Sequence, residues 1–116
     1  MADNNITEQP QEAVTPQSLE VRVIEALKQV YDPEIPVNIY DLGLVYKIEI
    51  DDDLAVRILM TLTTPNCPEV ESLPEEVMTL IQGLRGVKQV EVNLTFDPPW
   101  SQDNLSEEAR LELGLL

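Results

Sequence analysis

The sequence predicts an α+β domain of two layers, a three-stranded mixed sheet with helices on one face, in the order α-β-β-α-β-α. Three patterns carry this expectation. Two apolar stripes recur at helical spacing, one before the strands and one between them. Two alternating runs are joined only by Asp51-Asp52-Asp53, which is short enough for a hairpin alone and makes the pair antiparallel. A third alternating run follows the second helix, and a right-handed crossover makes it parallel to the second strand where the two are neighbours. The regular alternation leaves one sheet face wet, so the helices cover the other.

Residues 1–17 are polar, carry Pro10 and Pro16 and show no periodicity. They read as a disordered tail, with a single domain over 18–116. In the first helix Leu19, Val23, Ala26, Leu27 and Val30 share a face. Thr15 or Ser18 suits its cap and Pro16 its first turn. Asp32-Pro33 is expected to stop it, because proline restricts the residue before it. A loop then runs to Gly43, which can adopt a left-handed conformation. In the first strand Leu44, Tyr46, Ile48 and Ile50 alternate with Val45, Lys47 and Glu49. In the second, Leu54, Val56, Ile58, Met60 and Leu62 alternate with Ala55, Arg57, Leu59 and Thr61. The second helix puts Val70, Leu73, Val77, Leu80 and Ile81 on one face, with Ser72 and Glu75 spaced as a capping box and Gly83 and Gly86 as its end. The third strand turns Val90, Val92, Leu94 and Phe96 inward. A short final helix fits 106–113, with Asn104 and Glu107 as a capping pair and Gly114 as terminator.

Composition narrows the chemistry. The 116 residues hold 22 acids against 7 cations and no histidine, for a formal net charge of −15. Nucleic-acid binding needs clustered Lys and Arg to neutralise phosphates, and this balance argues against it. It disfavours anionic membrane surfaces for the same reason. No apolar run approaches the ~18 residues of a membrane span, and the first residues lack the apolar core of a secretory signal. The absence of histidine excludes Ser-His-Asp and Cys-His machines and every His-ligated zinc site. One cysteine excludes an intramolecular disulfide, and a cytoplasmic location is the simplest expectation.

Cys67 is the single strongly nucleophilic or soft-ligand side chain. It stands in a proline-flanked loop between a strand and a helix. Helix N-terminal amides favour a thiolate, whereas Glu69 and Glu71 oppose it. The bland alternative is an inert, buried small hydrophobe. Asp32-Pro33-Glu34 places two carboxylates on a stiff turn, as a solvated helix stop or as a cation site near a thiol. Asp51-Asp52-Asp53 lacks the EF-hand pattern and reads as a solvated hairpin tip. Trp100, after Asp97-Pro98-Pro99, is either packed or an anchor for a partner protein. Tyr40, Asp41 and Gly43 read as turn chemistry, with the Tyr40 hydroxyl a candidate to face Cys67.

Three separated stretches go further. Asp32-Pro33-Glu34-Ile35-Pro36 with Asn38-Ile39-Tyr40-Asp41-Leu42-Gly43-Leu44-Val45 resembles the opening motif of the SufT/PaaD-like iron–sulfur cluster assembly family. Met60-Thr61-Leu62-Thr63-Thr64-Pro65-Asn66-Cys67-Pro68 resembles that family's cysteine loop. Asp97-Pro98-Pro99-Trp100 with residues 106–114 resembles the C-terminus of its SufT branch in particular. Many relatives carry glycine where Asn66 stands, and asparagine tolerates a left-handed φ better than most residues. The Cys-rich tail of PaaD-type members is not matched.

The resemblance implies a non-enzymatic accessory role in maturing iron–sulfur proteins. Cys67 would be the functional thiol and Asp32 and Glu34 its acidic neighbours, and the partners would be an iron–sulfur scaffold or carrier and client apoproteins. Iron–sulfur clusters usually take four thiolates. One chain offers one, so a transient cluster would need a homodimer with two Cys67 thiolates plus other ligands. Two other classes compete: a thiol-based carrier or transferase with Cys67 as nucleophile, and a metal-free interaction domain using Trp100 and the acidic surface.

Overall fold

The structure is a computed structural model that describes residues 13–32, 35–63 and 72–114. Its elements run α1 (Pro16–Leu27), α2 (Ile39–Leu42), β1 (Val45–Ile50), β2 (Ala55–Met60), α3 (Ser72–Gln82), β3 (Gln89–Leu94), a 3₁₀ turn (Gln102–Asn104) and α4 (Glu107–Glu112). The sheet order is β1-β2-β3, with β1 antiparallel and β3 parallel to β2. This is the predicted α+β architecture, with β3 parallel to β2 across the intervening α3.

The helix α1 starts two residues inside the stretch assigned to the tail. Thr15 caps it: its hydroxyl accepts the Ser18 N–H at 3.1 Å and Ser18 Oγ accepts the Thr15 N–H at 3.0 Å. Pro16 takes the first turn, where its missing N–H costs nothing. Leu19, Val23, Ala26 and Leu27 are buried along one face, each large side chain contributing about 1.5–3 kcal/mol. The helix ends at Leu27, not at Asp32-Pro33. The backbone tightens there, with Gln29 N–H on Ala26 O and Val30 N–H on Leu27 O. This frees Val30 O to accept the Ile39 N–H at 2.8 Å and lets Tyr31 bridge to Asn38.

Core-side residues of the central strand, Val56, Ile58 and Met60, are buried, whereas those of β3 are half-buried because β3 is an edge covered by α3. Lys47, Glu49, Arg57, Gln89, Glu91 and Asn93 line the wet face. Glu49 pairs there with Lys47 at 3.0 Å and Arg57 at 3.5 Å. The Lys47 hydrogen bond and charge, with Arg57 adding, hold the Glu49 carboxyl below its ordinary value.

Two strand positions depart from strict alternation. A bulge between Val45 and Lys47 puts Val45 opposite Met60 and packs it on the core, although alternation assigns it to the wet face. Thr61, also expected outside, is fully buried, with its N–H on Leu44 O at 2.8 Å.

The hairpin tip agrees with the solvated reading. Asp52 and Asp53 are exposed, and Asp51 Oδ1 accepts the N–H of Asp53 and of Ala55. The helix α3 is described from Ser72, so Val70 and whatever caps it lie outside the described residues. Beyond α3, Gly86 has φ +97°, and a Cβ there would meet the Val14 methyls at 2.9 Å. Arg22 also donates to Arg85 O at 2.8 Å, so α1 is tied to the turn between α3 and β3 at two points. The cap of α4 is Ser106, whose Oγ accepts the Ala109 N–H at 3.1 Å; Asn104 is engaged elsewhere.

Candidate functional site

At the end of the sheet where β1 begins, the first and third motif stretches lock together. The first is an acidic turn followed by a one-turn helix. Asp32 Oδ1 accepts the Ile35 N–H at 3.0 Å, and Asp32 N–H donates to Val37 O at 3.3 Å. Asp32 is 5% exposed, so it is not the solvated acid that a plain helix stop would carry. Its carboxylate spends at least one oxygen on the local backbone, the usual way an Asp holds a turn.

Next, Asn38 caps α2. Its Oδ1 accepts the Asp41 N–H at 2.8 Å and its Nδ2 donates to Asp41 Oδ2 at 2.9 Å. Gly43 follows at φ +80° and closes the turn, with its N–H on Tyr40 O and the Leu44 N–H on Ile39 O. This left-handed closure favours glycine. The Tyr40 ring lies under the Lys28 ammonium, 5.5 Å from its centroid.

The C-terminal stretch straps this turn down. Trp100 Nε1 donates to Leu42 O at 2.7 Å, and Tyr46 Oη donates to Pro98 O at 2.8 Å. Asn104 Nδ2 reaches Gly43 O at 3.4 Å, and Ser106 N–H donates to Asp41 O at 2.8 Å. Carbonyls at the end of a short helix need partners, and the strap supplies them. It lies so close that a Cβ on Gly43 would fall 2.6 Å from Asn104 Cβ and closer still to Asn104 O. The same end holds the exit of β2, through Thr61 N–H on Leu44 O and Thr95 N–H on Met60 O. The chain leading to the cysteine loop therefore departs from beside the clamped turn.

Of the residues singled out in the sequence, the structure places Asp32 and Trp100 on the two halves of this clamp. Cys67 and Glu34 lie outside the described residues, as does any approach of the Tyr40 hydroxyl to Cys67. Trp100 is half-buried with its indole N–H engaged. The sequence reading assigned no role at the site to Asn38, Asn104 or Ser106, and took Asn104 for the cap of the last helix. Asn38 and Asp41, a cap residue and an acid three positions on, were the available signal for α2. The local signal at Asn104 points to a cap, whereas its side-chain partners lie 61 and 58 residues away. Among the described residues, no three His, Cys, Asp or Glu side chains come together as a metal site.

Fold and site define a small two-layer α+β domain that gathers its first and last motif stretches, and the exit of β2, at one end of a three-stranded sheet. Residues 20–94 match the family described as iron-sulfur cluster assembly protein. The chain is 50% identical over 94 residues to the Fe-S protein maturation auxiliary factor of Porphyromonas gingivalis, covering 81% of this chain and 90% of that protein. It is 39% identical over 99 residues to the Fe-S protein maturation auxiliary factor YitW of Bacillus subtilis, covering 85% and 97%. A crystal structure of a domain of unknown function from Bacillus anthracis superposes with a TM-score of 0.79 at 32% identity, covering 87% of this chain and 96% of that one. This chain belongs to the iron–sulfur cluster assembly protein family.

Proposed function

We propose that this protein is an accessory factor in the maturation of iron–sulfur proteins, acting through Cys67 together with partner proteins and without turnover of its own. The observation that carries this is its similarity, over nearly their whole length, to two proteins named as Fe-S maturation auxiliary factors. The architecture fits the role. A single cysteine cannot store a cluster that usually takes four thiolates. It can take part in a shared, short-lived one, or dock on a scaffold, carrier or client apoprotein. In this reading Asp32 holds the acidic turn, Glu34 is the second acid assigned to the thiol, and Trp100 clamps the α2 turn while its half-exposed ring remains for a partner. We place the protein in the cytoplasm, where a lone thiol stays reduced. Among the described residues no helix is long and apolar enough to cross a membrane.

Deleting the gene should lower the activity of iron–sulfur enzymes while leaving the abundance of their polypeptides unchanged, and the full chain supplied in trans should restore it. Enzyme activities equal to those of the parent strain, under both low and high iron demand, would overturn the proposal.

A further inference from the structure

The strand β1 is an edge. Among the described residues β2 alone pairs with it. An antiparallel ladder alternates between residues that bond to the neighbour and residues whose N–H and C=O point away. The phase is set at the hairpin, where Asp51 N–H donates to Ala55 O. Glu49, opposite Arg57, is then in a bonded pair, and Ile48, opposite Ile58, and Ile50, opposite Val56, present their N–H and C=O to the open side. Alongside this open side runs a groove of about 480 Å³ between β1 and the first turn of α1, with Gln17, Glu20, Ile48 and Ile50 in its lining.

An exposed edge of this kind invites another strand, and proteins usually blunt it. Here the bulge sits at the Val45 end and leaves Lys47–Ile50 regular. The charges are what select the occupant. Two copies pairing antiparallel about a two-fold axis can centre on Lys47, Ile48 or Glu49. Centring on Lys47 sets lysine against lysine, and centring on Glu49 sets glutamate against glutamate. Centring on Ile48 sets Lys47 of each copy opposite Glu49 of the other, twice. The same register makes Ile48 face its own counterpart with outward N–H and C=O on both strands, which is what a bonded pair requires. Lys47 and Glu49 then form the unbonded pairs, where side chains approach more closely. The other edge offers nothing similar, since β3 carries Gln89, Glu91 and Asn93 and no cation to answer Glu91.

We infer that β1 is a self-association edge, joining a second copy of this chain in an antiparallel ladder centred on Ile48 to give a six-stranded sheet with the helices of both copies on one face. The inference goes beyond the proposed maturation role and does not involve Cys67, so each can fail alone. Each Lys47 then sits between its own Glu49, 3.0 Å away, and that of the second copy. The net charge of −15 per chain opposes association, so the test belongs at about 0.15 M salt, where screening reaches ~8 Å.

The experiment is sedimentation equilibrium on the full chain across concentration, with amide hydrogen exchange at low and high concentration. The wild type is expected to dimerise, with Ile48 and Ile50 amides protected only in the dimer. Lys47→Glu places like charges at both symmetry-related pairs and should weaken the dimer at least about tenfold. The double variant Lys47→Glu/Glu49→Lys restores opposite charges and should recover it. A monomer at every concentration would overturn the inference. So would a dimer that leaves Ile48 and Ile50 amides unprotected, or one indifferent to Lys47→Glu. Protection of those amides only when a different protein is added would assign the edge to a foreign strand and also overturn it.

Discussion

Gly43→Val is expected to destabilise the fold by about 3 kcal/mol, read as a lowered urea midpoint at unchanged slope. Two separate effects combine. At φ +80° a β-branched residue is strained by its own backbone. Its Cβ would also enter the space held by the Asn104 backbone, which is fixed by the 3₁₀ turn and by Ser106 N–H on Asp41 O and cannot swing away as a long side chain would. Gly83→Ala is the matched control. A Cβ at Gly83 makes only ordinary contact with Leu80 O at 3.6 Å, and the change should stay within about 1 kcal/mol. Equal effects at the two glycines would mean that neither the left-handed backbone nor the strap constrains the turn.

The second large effect concerns Trp100. Trp100→Ala removes a half-buried indole and leaves Leu42 O without its donor, for a loss of about 2–3 kcal/mol. Trp100→Phe keeps most of the ring and loses chiefly the N–H, for about 1 kcal/mol. Thermal melts of the two variants separate the contributions. If Trp100 were purely an anchor for a partner, both variants would melt as the wild type does. A clamp predicts graded losses in the order Ala, then Phe. Because the clamp holds the carbonyls of Asp41, Leu42 and Gly43, Trp100→Ala should speed amide exchange at Asp41 and Leu44 before the core opens.

Much of this architecture could be read from residue patterns because long, regular elements advertise themselves. Four buried apolar positions on α1, the hairpin alternation and the helix between β2 and β3 each repeat a period often enough to be seen. The departures have particular causes. Four residues of α2 are too few for a 3.6-residue period to register, and such a turn exists because Asn38, Gly43 and the strap finish its hydrogen bonds. One inserted residue at the bulge shifts Val45 to the opposite face, which a period of two cannot anticipate. Asn104 resembles a cap by spacing, yet it is drawn to Gly43 and Tyr46 by long-range contacts, and Ser106 takes the cap. Asp32 looks like a surface acid in sequence and is buried because its carboxylate serves its own turn. At the site, the three motif stretches are separately legible. That the first and last are two halves of one clamp is visible only once the chain is folded.

The central claim is that the protein matures iron–sulfur enzymes through the Cys67 thiol. Its most direct test is the activity of iron–sulfur enzymes in a deletion strain carrying Cys67→Ser at wild-type abundance. Replacing sulfur with oxygen changes little in size and removes the soft ligand and the nucleophile together. The expected result is a folded protein that restores no more activity than an empty vector. Full restoration by Cys67→Ser would contradict the account.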